Sequence, residues 1–263
     1  MKIKVSLIAS ILFILLISPA VQSEDDENPL FSLSGSVFTF DGSPANSTSI
    51  KVDSMQSSWS DNGDYVFEGV ASGEHTVRAY FMNDGHTVVY RKIFVDSDTS
   101  LDWFEGKNWI TFRTLDEHAS EGVESVVDLV ETSENINSQG GMETFGPYEI
   151  GEYYTIRAHF GDDEGPTQYI RFKMGPGSSS DPWPNDFEFR YGHNSKYGYL
   201  KNTQGAPVEG AVVSMGGVNS ITNSDGFFLI QNLEIGATHT ITASQWGTEI
   251  VDPVNAEIGA GEG

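Results

Sequence analysis

The 263-residue sequence predicts an all-β chain of tandem, small β-sandwich units of Greek-key type. Three observations lead there. Apolar and polar residues alternate over short runs, the period of a half-buried strand. Gly, Asn, Asp and Pro interrupt those runs about every 8–12 residues, the rhythm of sandwich strands. The pattern at one end also recurs at the other: Gly35, Gly42, Gly63 and Gly73 are matched by Gly198, Gly205, Gly226 and Gly236, each 163 positions further on.

The chain opens with Lys2 and Lys4, an apolar run from Val5 to Ile17, and Val21-Gln22-Ser23 just before four acidic residues. Residues 1–23 therefore read as a secretory signal peptide, because the apolar run is short against the ~20 residues of a membrane span. A membrane anchor is the rival reading. Residues 24–30 form an acidic lead. In the first unit, 31–104, Phe31, Leu33, Gly35 and Val37 make one face of a strand. Asp41-Gly42-Ser43-Pro44 turns the chain, and Ile50-Lys51-Val52 is a second strand. Asn62-Gly63 supplies a turn at positive φ, after which Tyr65 and Phe67 point inward. Gly69 and Gly73 bracket the next reversal, leading to the inward row His75, Val77, Ala79 and Phe81. Val89, Arg91, Ile93 and Val95 share a face, with Arg91 at an edge or snorkelling past the core.

The second unit, 105–175, starts with Trp109-Ile110-Thr111-Phe112-Arg113. Val123, Val126, Val127 and Val130 have helical spacing, but four valines beside Gly122 favour a strand over Ser125–Glu131. The run Gly151 to Phe160 parallels Gly73 to Phe81. Arg78 and Arg157 lie 79 positions apart, while Gly85 and Gly165, and Arg91 and Arg171, lie 80 apart. This spacing fits a repeated unit with a one-residue insertion. Residues 176–194, rich in Gly, Pro and Ser, read as a linker. Within it Phe187, Phe189 and Tyr191 alternate, as an added strand or a segment packed back on the second unit. Residues 195–263 form the third unit, with Asp225-Gly226 in the place of Asn62-Gly63.

The chain carries 38 Asp and Glu against 14 Lys and Arg, a net charge of −24. Such a surface repels nucleic acid and anionic lipid and suits cations or basic partners. With no cysteine, each exported unit stands on core burial alone. No segment after the signal peptide is long and apolar enough to span a membrane.

The pattern Gly-x-Val, Gly-x-Pro, Asp-Gly-x-Tyr/Phe, Gly-x-x-x-Gly resembles the carboxypeptidase regulatory-like domain. Residues 196–245 carry it through Gly198-Tyr199, Gly205-Ala206-Pro207-Val208, Ala211-Val212-Val213 and Asp225-Gly226-Phe227-Phe228. Residues 31–100 carry it through Gly35-Ser36-Val37, Gly42-Ser43-Pro44, Asn62-Gly63-Asp64-Tyr65 and Gly69 to Gly73. The resemblance implies a transthyretin-like or Ig-like β-sandwich, secreted or surface-attached, used as a spacer, adhesion module or appendage. It transfers no catalytic residue.

Asp96, Asp98, Asp162, Asp163 and Glu164 cluster at strand ends, where converging oxygens would bind Ca²⁺ weakly. Solvated charge is the plainer account of them. Trp59, Trp103 and Trp183 are candidates for stacking on a sugar or protein partner, against the alternative of packing between units. The six histidines show no His-x-x-His or His-Glu-x-x-His spacing, and Gly-x-Ser-x-Gly does not occur. The sequence thus points to a non-enzymatic, secreted or cell-surface array with a structural, adhesive or spacer role, its partner a protein or a glycan. A carbohydrate-binding accessory module and a weak calcium-binding surface protein are the alternatives.

Overall fold

The computed structural model describes residues 29–81, 87–161, 165–176 and 185–260. The signal-peptide reading, Asp162, Asp163, Glu164 and Trp183 lie outside them. The first unit comprises β1 (Leu30–Phe38), β2 (Ser49–Val52), β3 (Ser58–Trp59), β4 (Asp64–Ala71), β5 (Gly73–Phe81), β6 (Thr87–Val95), β7 (Thr99–Ser100) and β8 (Trp103–Phe104). The second comprises β9 (Lys107–Leu115), β10 (Ser125–Leu129), β11 (Glu134–Ser138), β12 (Glu143–Glu149), β13 (Tyr153–Phe160), β14 (Thr167–Lys173) and β15 (Asp186–Arg190). The third comprises β16 (His193–Tyr199), β17 (Val212–Met215), β18 (Val218–Ile221), β19 (Phe227–Glu234), β20 (Thr238–Gln245), β21 (Thr248–Glu249) and β22 (Val254–Glu257). No helix occurs among the described residues, and the valine-rich segment is the strand β10.

All three units share one plan. One sheet pairs the first strand with the fourth: β1 with β4, β9 with β12, β16 with β19. The facing sheet runs β3-β2-β5-β6, then β11-β10-β13-β14, then β18-β17-β20 with β21 and β22 on β20. In the first two units an extra strand lies parallel to the first, β7 and β8 along β1, β15 along β9. Apolar rows of the two sheets meet to form the cores. Leu33, Val37, Val77 and Val89 are fully buried in the first, as are Ile110, Val127, Ile156 and Ile170 in the second. The third core is thin, with six buried members, Val213, Met215, Ile230, Leu233, Ala243 and Ile258, against seventeen and fourteen in the others.

The recurring glycines Gly63 and Gly226 are explained by one contact with the first strand, built twice. Val37 N–H donates to Gly63 O at 2.7 Å, and Leu200 N–H to Gly226 O at 2.8 Å. Gly63 and Gly226 have φ of 87° and 74°, and a Cβ there would meet Pro44 Cβ at 2.7 Å or Leu200 O at 2.3 Å. Both the backbone angle and the close approach call for glycine. A buried hydroxyl repeats as well. Ser60 Oγ donates to Ala45 O and accepts from Thr48 N, and Thr222 Oγ1 donates to Val208 O and accepts from Ala211 N. The second unit lacks the Asp-Gly turn yet keeps the layout, with Gly140 at φ 82° pressed against Gly122.

Two expectations need correction. The linker bounds of 176–194 take in β15, the added strand on the second unit that the Phe187 and Phe189 alternation allowed, in parallel register with β9 from Asp186↔Thr111 to Arg190↔Leu115. Phe187 and Phe189 are 6% and 0% exposed there, so burial of two aromatic rings holds the segment against the second unit. The Arg91/Arg171 match also fails. Val77 pairs with Arg91 and Ile156 with Ile170, so the counterpart of Arg91 is Ile170. The same registers align Arg78 with Arg157 and Tyr90 with Tyr169, both 79 apart.

Candidate functional site

The most elaborate side-chain chemistry lies at the two joints between units, and both are built on a buried asparagine. β9 and β16 each begin after a glycine in a Gly-x-Asn sequence, Gly106-Lys107-Asn108 and Gly192-His193-Asn194. Both glycines have positive φ, 78° and 74°, and their carbonyls accept from Ile150 N and Ile235 N. The turn drives the asparagine inward, and Asn108 and Asn194 are 0% and 1% exposed.

Asn108 Oδ1 accepts the backbone N–H of Tyr90, in the preceding unit, at 3.3 Å, and of its neighbour Trp109 at 2.9 Å. Its Nδ2 donates to Gly175 O at 2.9 Å. Asn194 Oδ1 accepts from Tyr169 N at 2.9 Å and Ser195 N at 2.8 Å, and its Nδ2 donates to Gly259 O at 2.8 Å. Each asparagine thus ties an edge strand of one unit, β6 or β14, to the first strand and the C-terminal end of the next. The bonds to Trp109 and Gly175, and to Ser195 and Gly259, hold each amide rigid within its own unit, so that its Oδ1 meets the tyrosine N–H of the neighbouring unit in one direction only, and that bond is lost if the units swing.

Around this shared lock the joints differ. At the first, Trp109 is 3% exposed, packs edge-on to Trp103 with ring centroids 5.0 Å apart, and belongs to the core of the first unit. The Arg91 guanidinium lies 5.8 Å from the Trp109 ring, and burial lowers its pKa. Arg91 therefore snorkels under a ring contributed by the next unit. Asn185 N–H donates to Tyr90 OH at 3.1 Å, Lys92 pairs with Asp186, and Arg113 Nη2 meets Glu74 at 2.8 Å. Burial is the main influence on Asp186 and raises its pKa, with the Lys92 bond opposing.

At the second joint Ser195 stands in the place of Trp109, and its hydroxyl donates to Tyr169 O. Tyr153, Tyr199 and Phe227 form a ring cluster with centroids 5.1–6.3 Å apart. Asp225, from the Asp-Gly turn, accepts from Lys173 Nζ at 2.5 Å and Tyr153 OH at 3.0 Å. These bonds hold the Asp225 carboxyl below its ordinary pKa, the Lys173 bond first. Burial, helped by the neighbouring Asp225, pushes the Tyr153 phenol up to about 12.

The register also shows which ends lack the lock. Phe31 pairs with Val70 as Asn194 pairs with Leu233, so the first unit carries Phe31 where the others carry asparagine. In the third unit Ile241 pairs with Val254 as Ile156 pairs with Ile170, which puts Pro253 at the position of Tyr169. Proline has no N–H to give to an asparagine.

The residues singled out from sequence fall elsewhere. Trp103 is fully buried and is withdrawn as a stacking residue, since the two tryptophans of the joint bury one another. Trp59 is 56% exposed on the edge strand β3. Trp246, outside that set of candidates, is 94% exposed at the β20–β21 turn. Asp98 Oδ1 accepts from Ser32 N at 2.9 Å, and Asp96 Oδ1 from Ser97 Oγ at 3.2 Å, so both carboxylates cap backbone or neighbouring groups. Among the described residues no group of three or more His, Cys, Asp or Glu is placed to hold a metal ion. A cleft of about 650 Å³ opens where the three units meet, walled by Lys92, Arg113, Asp186, Glu188, Asn219 and Gln231. Its two carboxylates are engaged, Asp186 with Lys92 and Glu188 with Arg190 at 3.1 Å. Asn108 and Asn194 escaped sequence reasoning, although the repeated Gly-x-Asn, 86 positions apart, was the available signal.

No family model matches the chain, and no curated protein matches it in sequence. Among solved structures, the Bacillus anthracis TIE protein is similar at 12% identity and a TM-score of 0.25, over 87% of this chain and 48% of that one. The major pilin subunit of Bacillus cereus matches at 11% identity and 0.23, over 88% and 95% of the two chains. The full-length major pilin of Corynebacterium diphtheriae matches at 11% and 0.26, over 89% and 92%. The chain spans about half the length of the first of these. With overlaps this loose, the fold rests on the chain's own strand pairing.

Proposed function

We propose that the chain is a secreted or cell-surface, non-catalytic array that serves as a stiff spacer or adhesive support, with units of the carboxypeptidase regulatory-like kind. The observation that carries this reading is the asparagine lock built at both joints. A chain of independent domains needs only linkers, whereas a support that transmits force or holds a fixed reach needs joints with a fixed angle. The two Asn-centred networks supply that, and the acidic surface keeps such an array soluble and apart from nucleic acid. The surface partner is a protein or a glycan, and export follows from the signal-peptide reading of residues 1–23.

Small-angle X-ray scattering and NMR relaxation on residues 24–263 test the proposal. The expected result is one rigid envelope and one rotational correlation time for all three units. Units tumbling independently, or a mature chain that does not start near Glu24 after secretion, would overturn it.

A further inference from the structure

We propose that the tip of the β20–β21 hairpin, with Trp246 at its apex, docks a Lys- or Arg-bearing segment of a partner protein. Two residues, Trp246 and Gly247, join the paired Gln245 and Thr248. Their φ values of 49° and 80° are both positive, as in the type I′ turn that suits a tight hairpin. Asn, Asp or Gly takes the first of these positions at little cost, whereas a bulky side chain there is strained. The fold gives the ring nothing in return, since Trp246 is 94% exposed. Trp246 therefore costs the third unit twice, in backbone conformation and in apolar surface left in water.

The sister units show that the shared plan does not call for this residue. The counterparts of the hairpin join β5 to β6 and β13 to β14. Their connecting sequences, Met82-Asn83-Asp84-Gly85-His86 and Gly161-Asp162-Asp163-Glu164-Gly165-Pro166, are made largely of turn formers and hold no tryptophan. A strained, exposed ring at a place where the fold is satisfied without one points to a contact beyond its own unit.

Charge selects the occupant. Residues 202–260 include six acids and no Lys or Arg. Asp225 is paired with Lys173, but Glu209, Glu234, Glu249, Asp252 and Glu257 are exposed and have no ion-pair partner among the described residues. Two of these border the tip. Glu249 pairs with Ser244 on the same hairpin, and the Glu209 carbonyl accepts from Gln245 Nε2 at 3.0 Å. An indole face attracts a cation, and unpaired carboxylates beside it add to the pull. Ile221, 69% exposed, ends the row Glu249, Ser244, Val212, Ile221 across the sheet, and offers a surface for the aliphatic stem of a lysine or arginine. The same field repels nucleic acid, anionic lipid and a second copy of a chain charged −24.

The docking tip deepens the adhesive reading above and rests on it. The scattering experiment is blind to the tip, so a rigid array with an inert Trp246 would lose only the docking role, and a flexible one that binds through Trp246 only the spacer role. The probe is the peptide Gly-Arg-Gly-Lys-Gly-Arg-Gly-Lys, titrated into residues 24–263 at low ionic strength, with its all-Glu counterpart and maltotriose as comparisons. Binding is read by calorimetry and by the Trp246 indole N–H resonance, identified by its loss in Trp246→Asn. The expected result is saturable binding of the basic peptide alone, with a shift of that resonance and weakening as salt is raised. Trp246→Asn should weaken binding about fivefold while raising the melting temperature of the third unit by a few degrees, because asparagine suits the turn. Trp246→Tyr, which keeps an aromatic face, should bind within about threefold of the parent. No binding of the basic peptide, or equal binding by Trp246→Asn and the parent, sinks the proposal, the second outcome leaving only overall acidity. A less stable Trp246→Asn variant would assign the ring to the fold and overturn it too. A shift of the indole resonance by maltotriose would make the tip a glycan platform in place of a basic-segment dock.

Discussion

The joint between the first and second units buries its tyrosine, Tyr90, to 2% exposure, while the joint between the second and third leaves the matching Tyr169 half-buried. Both clasp that tyrosine's backbone N–H with an asparagine side chain. What surrounds the clasp is opposite in character. The first joint is packed with indole rings and shares a core across the boundary, and the second is an aromatic cluster stitched by Lys173, Asp225 and Tyr153. One backbone device thus works in a dry and in a wetter setting. The first joint should fail when its packing is damaged, and the second when its charges change.

Trp109→Ala should break the comparison most. It removes a ring of the second unit from the core of the first, at a cost of roughly 3–5 kcal/mol. Urea unfolding should show the first unit melting early. Asn108→Ala comes next, since it strands the Tyr90 and Trp109 amides and Gly175 O out of water, at ~1–3 kcal/mol for such a loss. Asn194→Ala makes the same deletion in the wetter joint and should cost about 1 kcal/mol, because water reaches the stranded groups more easily. Equal losses in the two asparagine variants would erase the distinction drawn between the joints.

Acid should separate the joints by sign. Asp225 has a lowered folded pKa, so its contribution is present above its unfolded value of 3.8 and is lost as pH falls through the lower folded value. Asp186 has a raised folded pKa, so its ionised form opposes folding above that value, and the penalty is relieved as pH falls through it towards 3.8. Exchange of the Tyr169 amide, corrected for intrinsic rate, should speed up in acid before that of Tyr90. Asp225→Asn should remove the difference. The smallest effect is expected from calcium. Asp98 already serves the Ser32 amide, so heat unfolding in millimolar Ca²⁺ should match that in a monovalent salt of equal ionic strength. A calcium-specific rise of several degrees would restore the acidic strand ends as a site.

Much of each unit was legible because strand alternation and Asp-Gly turns are local. Tyr65 and Phe67 face the core as the period-two pattern requires, and the Gly63 and Gly226 carbonyls accept matching bonds from Val37 and Leu200. The Arg78/Arg157 spacing was correct, but Arg91/Arg171 misled, since counting residues cannot see that Val77 and Ile156 set the pairing. The alternation of Phe187 and Phe189 allowed an added strand, but its pairing was hidden, because its partner β9 lies some 75 residues earlier and no turn signal links them. Trp103 looked like a surface aromatic because its cover, Trp109, comes from another unit. Asn108 and Asn194 were the hardest to see. A buried asparagine has no periodicity of its own, and its meaning comes from the amides it meets.

Phe31 and Pro253 bear on how such a chain can be rearranged. Tandem arrays are often treated as interchangeable bricks, to be duplicated, deleted or shuffled. Here the three units are marked for place: the middle one has both halves of the clasp, the first lacks the receiving asparagine, and the third has proline where an amide is needed. Copying the middle unit into the interior would preserve every clasp, whereas splicing a copy in front of Phe31 or behind Pro253 would leave a joint without the bond that crosses it.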